Sequence, residues 1–114
     1  MARYNIKIDR NENGYNFQLW YCGKQPMGYS RDYNSKNECL KGLDKFIHFI
    51  ISNDINEEGK YLELKKIGRR KYKYQFIDEK GNILYKSRII ESKQSCQDSM
   101  MSTCKNIIHA IIVD

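Results

Sequence analysis

The sequence predicts an α+β fold: two tandem β-β-β-α(-β) repeats forming one antiparallel sheet, with both helices on one face and a pseudo-two-fold axis between the copies. Three observations carry this reading. Slid along itself by 57 residues, the chain meets its own pattern, with Ser30-Arg31 over Ser87-Arg88, Ser35-Lys36 over Ser92-Lys93 and Cys39 over Cys96. Apolar residues alternate with polar ones in short runs, the period of strands with one buried face. Each set of three runs leads into a serine followed by apolar residues at helical spacing.

The match S-R-x-x-x-S-K-x-x-C is joined upstream by Tyr4 over Tyr61, Tyr15 over Tyr72, Gln18 over Gln75 and the aromatic pair Phe17 and Tyr74. The copies therefore occupy residues 1–57 and 58–114, with a junction near 52–60. A unit of that size buries too little surface to stand alone, so the two are expected to share one core in a single compact domain.

In the first copy, Arg3 to Asp9 places Tyr4, Ile6 and Ile8 on one face of a strand, and the turn from Arg10 to Gly14 ends it. Tyr15 to Cys22 sets Tyr15, Phe17, Leu19 and Tyr21 against Asn16, Gln18 and Trp20. Tyr29 to Tyr33 is a short third strand. The second copy repeats the plan: Tyr61 to Ile67 with Leu62 and Leu64 inward, Lys71 to Asp78 with Tyr72, Tyr74 and Phe76 inward, and Ile83 to Ile90.

The helices begin at the repeated serine. Ser35 is an N-cap with Glu38 three residues on, a capping box in which each side chain serves a free backbone N–H. Ser92 takes the same place with Ser95 replacing Glu, which predicts a weaker second start. Cys39, Leu43, Phe46, Ile47 and Ile50 form one apolar stripe; Cys96, Met100, Thr103, Cys104, Ile107 and Ile108 form the other.

The residues G-Y-x-F-x-L from Gly14 to Leu19 and Y-S-x-x-Y-x-S-K-x-x-C-x-x-G-L from Tyr29 to Leu43 resemble the YegP-like family of small bacterial domains, which occur as tandem repeats or as dimers of single repeats. The resemblance extends to the second copy, where Ser99 stands in place of Gly42 and Ile89-Ile90 in place of Asp32-Tyr33. It implies β(3)-α-β units paired into one sheet with exchange of C-terminal strands. That would make Ala110 to Asp114 a final strand, with helix continuation the alternative from the residues themselves. It implies no established activity, catalytic residue or cofactor.

Composition narrows the function classes. No apolar run approaches the roughly 20 residues of a membrane helix, and the N-terminal residues lack the apolar core of a signal peptide, so a cytoplasmic protein without membrane attachment is expected. Cys22, Cys39, Cys96 and Cys104 form no C-x-x-C pair and have no His spaced for zinc, so they read as reduced thiols with no metal site. Cys39 and Cys96 lie near helix N-termini that could lower a thiol pKa, but their place on the apolar stripes favours core packing. His48 and His109 are not repeat-equivalent and neighbour apolar residues. With no catalytic motif present, the protein is expected to be no enzyme and to need no cofactor.

Charge points elsewhere. The chain carries 20 Lys and Arg against 14 Asp and Glu, but residues 1–57 hold a net +1 and residues 58–114 a net +5. The excess centres on Lys65, Lys66, Arg69, Arg70, Lys71 and Lys73, six cations within nine residues around a hairpin turn, whereas Asp9 to Gly14 is neutral to acidic. Interleaved with Tyr72 and Tyr74, they suit phosphates; a solvated hairpin that discourages edge-to-edge aggregation is the plainer alternative. The outward face of the sheet adds Gln18, Gln75 and Trp20, the last suited to a protein interface or to base stacking unless a loop or the exchanged strand covers it.

The expected function is therefore a non-catalytic binding module that takes a protein or nucleic acid partner on its open sheet face and basic hairpin. One alternative is a protein encoded by a phage or mobile element that blocks a host defence nuclease complex, consistent with a small basic chain rich in Lys, Ile and Asn. Another is a sequence-nonspecific RNA or DNA binder. Two repeats in one chain predict a monomer, a dimer being the alternative.

Overall fold

In the computed structural model, which describes residues 4–113, each copy folds as three strands and a helix. The strands are β1 (Tyr4–Asn11), β2 (Gly14–Tyr21) and β3 (Gly28–Ser30), then β4 (Leu62–Gly68), β5 (Lys71–Ile77) and β6 (Ile83–Ser87). Helix α1 (Lys36–Ser52) follows the first set, and α2 (Lys93–Asn106) follows the second, continued by a 3-10 turn, Ile107–His109. Strand β7 (Ile111–Val113) ends the described chain. Arg3 and Asp114, included in the expected first and last strands, lie outside the described residues.

All seven strands form one sheet in the order β4-β5-β6-β3-β2-β1-β7. At its centre β3 pairs antiparallel with β6, Gly28 facing Ser87, Tyr29 facing Lys86 and Ser30 facing Tyr85. At the repeat offset Gly28 corresponds to Tyr85, Tyr29 to Lys86 and Ser30 to Ser87. Exchanging the copies therefore returns the same pairing, and the pseudo-two-fold axis passes between Tyr29 and Lys86.

The repeated residues make the same contacts twice. The Ser30 hydroxyl accepts from the Phe17 N–H at 2.9 Å and donates to the Arg31 carbonyl at 2.8 Å; Ser87 does the same for Tyr74, at 3.0 Å, and Arg88, at 2.8 Å. Ser35 and Ser92 cap their helices by accepting the N–H of Glu38 and Ser95, both at 3.1 Å. Cys39 and Cys96 are fully buried. The isolated bridges Tyr15 to Tyr33 and Tyr72 to Ile90 are also repeat-equivalent.

The two first strands do not match at 57. Ile6 faces Leu19 and Leu62 faces Phe76. Since Leu19 and Phe76 correspond, Ile6 corresponds to Leu62 at an offset of 56. A bulge between Lys66 and Gly68 supplies the extra residue and leaves Ile67 exposed. Tyr4 is thus the counterpart of Lys60, not of Tyr61.

Both helices cover one face. The Phe46 ring on α1 meets Phe17 of its own copy and Phe76 and Tyr85 of the other, all within 5.8 Å between centroids. Tyr74 on β5 shares a 2.6 Å hydrogen bond with the Thr103 hydroxyl of α2. The copies therefore bury their aromatic residues in one core rather than two.

The sheet is antiparallel apart from its last pair. Strand β7 runs parallel to β1, Asn5 facing Ile111 and Lys7 facing Val113, because α2 carries the second copy's end across the core to the far edge. The open choice between strand and helix for this segment is thus resolved as strand. The first copy does not reciprocate. After α1, Asp54 takes a left-handed φ of 49°, and Ile55, whose N–H donates to the Ile50 carbonyl, turns back into the core. Its counterpart Ile112 lies on the edge strand, 48% exposed.

Candidate functional site

The face opposite the helices is where the expected binding residues can be placed. Cross-strand registers align Glu63, Gln75, Lys86, Tyr29, Gln18 and Lys7 in one row from β4 to β1. Gln18 and Gln75 stand symmetrically about the axis. Because β2 and β5 run in opposite directions, Trp20, beyond Gln18, and Lys73, before Gln75, are displaced to the same side of the row. They are three strand spacings apart, roughly 14 Å.

Each of these side chains has local partners. The Trp20 indole N–H donates to Gln18 Oε1 at 3.0 Å, and Gln18 Nε2 donates to Asn16 Oδ1 at 3.2 Å, a polar ladder along β2. The Lys7 ammonium lies 4.3 Å from the centre of the Trp20 ring. Trp20 is half-buried. Gln75 donates through Nε2 to Glu63, while its buried Oε1 has no partner.

The basic residues separate into two groups. Lys65 pairs with Glu63 at 3.2 Å. The Gln75 hydrogen bond, with Lys65 and Lys73 nearby, holds the Glu63 carboxyl below its usual range. Lys66 lies over the Tyr72 ring at 5.9 Å, as its counterpart Arg10 lies over Tyr15 at the same distance, so this contact belongs to the repeat. Arg69, Arg70, Lys71 and Lys73 form no ion pair among the described residues. Arg69 and Arg70 make the two-residue tip between Gly68 and Lys71, with Arg70 at a left-handed φ of 56°. This tip stands at the same end of the sheet as Trp20.

The first copy's hairpin shows what the fold itself requires. Its cross-strand pair Asp9 and Asn16 takes the place of Lys65 and Lys73, and Glu12-Asn13 that of Arg69-Arg70. Two hairpins at equivalent places in the fold, the second with a bulge and a left-handed Arg70 in its tip, thus carry different charge at opposite ends of one face.

Residues outside the sequence-derived set complete this face. Lys7, Glu63, Tyr29 and Lys86 share the row, and Asn16, Tyr29, Arg31 and Lys86 line a hollow of about 310 Å³. Alternation within single strands signals which residues face outward, but only the register across six strands puts them in line.

The groups considered for catalysis are placed otherwise. Burial pushes the thiols of Cys39, Cys96 and Cys104 up to about 11, so the helix N-termini near Cys39 and Cys96 do not activate those two. Cys22 is exposed. His48 is exposed, its Nδ1 2.9 Å from the Asp44 carbonyl oxygen. Among the described residues no three His, Cys, Asp or Glu side chains converge on a metal position, and no helix is long and apolar enough to cross a membrane.

A seven-stranded mixed sheet made from two β-β-β-α copies, with two helices on one side, is the YegP-like fold. The protein of unknown function yegP from E. coli has this architecture in solution, with a TM-score of 0.73 at 17% identity over 99% of this chain and 91% of that one. A UPF0339 protein from Shewanella oneidensis matches with a TM-score of 0.74 at 15% identity over 99% and 90%. At these identities the likeness is one of fold. No protein-family model and no curated protein matches the chain.

Proposed function

We propose that the protein is a non-catalytic binding module that receives a polyanionic partner, nucleic acid before acidic protein, on the outer sheet face and the β4–β5 hairpin. The observation that carries this reading is the contrast between the two hairpins. The fold tolerates Asp9, Glu12 and Asn16 at one end, so Lys65, Arg69 and Lys73 at the other are not a requirement of the architecture. Arg69, Arg70, Lys71 and Lys73, which form no ion pair among the described residues, offer phosphate contacts, and the half-buried Trp20 at the same end offers a ring face for stacking. Burial of three thiols, which raises them to about 11, favours binding over thiol catalysis. Shared burial within one chain favours a monomer.

Fluorescence polarisation with a single-stranded and a duplex oligonucleotide tests this. With about four phosphate contacts, affinity should fall about a hundredfold between roughly 50 and 200 mM salt. R69E/R70E/K71E should remove most binding at low salt, and W20A should weaken the single strand more than the duplex. Equal binding by the triple variant would discard this surface. Salt-sensitive binding of an acidic polypeptide alone would move the reading to a protein partner.

A further inference from the structure

We propose a second site, on the helix side of the sheet, that takes a small organic anion with a flat aromatic body. Between α1, the segment after β3 and the β5–β6 turn lies a cleft of about 450 Å³, within the size range of small-molecule pockets. Its floor is apolar and aromatic, made by Tyr33, Phe46, Phe49 and Leu84. Arg31, Lys41 and Lys45 stand on its wall, the two lysines one helical turn apart, and none of the three forms an ion pair among the described residues. Two carboxylates also line it. Asp78 is engaged by its own turn, accepting from the Lys80 and Asn82 N–H groups, both at 2.9 Å, and from the Asn82 side chain. Those bonds hold the Asp78 carboxyl below its usual range and keep it ionised, so with Glu38 two carboxylates stand against three cations.

The pseudo-two-fold axis supplies the control. In the second copy Ser95, Asp98 and Ser102 replace Glu38, Lys41 and Lys45, and Asn106 replaces Phe49. There Tyr21, counterpart of Asp78, stacks on Tyr4 at 4.3 Å, and the Tyr4 hydroxyl shares a 2.6 Å hydrogen bond with Ser102; the hollow of about 330 Å³ that Asp98 and Ser102 line is bounded by Asn56, Met101, Cys104 and Lys105, with no aromatic ring. Of the two equivalent positions, one holds a tyrosine pair beside a hollow without rings, while the other is open, aromatic at its base and cationic at its rim. Ring surface on the floor would hold an aromatic body, and Arg31 with either lysine would bind an anionic oxygen group, carboxylate or phosphate.

Titration of 15N-labelled protein with 2-naphthoate, 2-naphthyl phosphate and the neutral 2-naphthalenemethanol tests the site. Saturable shifts centred on Gly42, Lys45 and Phe49 are expected with the anions, and the tighter of the two identifies the preferred head group. Affinity should drop at least about tenfold in K41E/K45E, whose exposed positions leave the core intact, as the variant's own spectrum checks. R69E/R70E/K71E should leave these shifts unchanged, which separates this site from the outer face. Absence of saturable shifts up to millimolar probe, equal affinity for the neutral alcohol, or unchanged affinity in K41E/K45E would overturn the proposal.

Discussion

Ser30 and Ser87 explain why the repeat leaves its clearest trace in polar residues. Each hydroxyl lies in the core and both accepts and donates, so Ala would strand a buried N–H in either copy. The places where the copies differ follow packing instead. A Cβ on Gly42 would overlap the Tyr33 ring. Their counterparts are Ser99 and Ile90, a larger residue on the helix matched by a smaller one on the loop. G42S should therefore cost about 1–3 kcal/mol by overpacking. Y33I/G42S, which installs the second copy's pair, should cost less than the two changes summed, with coupling of about 0.5–3 kcal/mol in urea unfolding. Strict additivity would show that the two positions do not compensate each other.

At the scale of elements, most of the fold is legible because strands and caps are local. Alternation around Ile6, Phe17 and Tyr74 locates strands, and a serine before an apolar stripe locates a helix start. The ends of elements are less legible. The expected third strands end early, at Ser30 and Ser87, because each serine hydroxyl bonds back to the carbonyl of the next residue and the chain leaves the ladder; Tyr33 and Ile90 return as single bridges. The second helix start, expected to be weaker for want of Glu, has the same hydroxyl bond as the first. S35A and S92A should then each lower stability by about 1 kcal/mol, measured by urea unfolding. A much smaller loss in S92A would restore the expected asymmetry. The exposed Ile67 of β4 illustrates a further limit: a one-residue bulge moves a whole strand's equivalence from 57 to 56, and local alternation does not register it.

For the whole molecule, the central seam and the shared aromatic cluster make each copy the other's partner. Phe46 packs on Phe76 and Tyr85 across the axis, and β3 without β6 is a three-residue edge. Residues 1–57 and 58–114 expressed apart should each lack dispersed amide spectra, and mixing should recover them. Light scattering of the intact chain should give a monomer of 13.6 kDa. A half that folds as a monomer would contradict the shared core. The candidate binding face belongs to this scale as well. Net charge pointed to the second hairpin, but Lys65 pairs with Glu63 and Lys66 repeats a ring contact that Arg10 makes in the first copy, so the charge peculiar to this hairpin rests on Arg69, Arg70, Lys71 and Lys73.

The sequence by itself determined the duplication, the order of the first six strands and two helices, most of the inward residues and the uneven charge, because each is written in local spacing or in likeness between the copies; Tyr21, expected inward, is 41% exposed. Tertiary structure alone decided the parallel placement of β7, the return of Ile55 to the core, the alignment of Gln18 with Gln75 and the open cleft under α1. These depend on contacts between residues far apart in the chain, where register, a single bulge and the fit of one aromatic ring against one glycine choose among arrangements that local patterns leave equal.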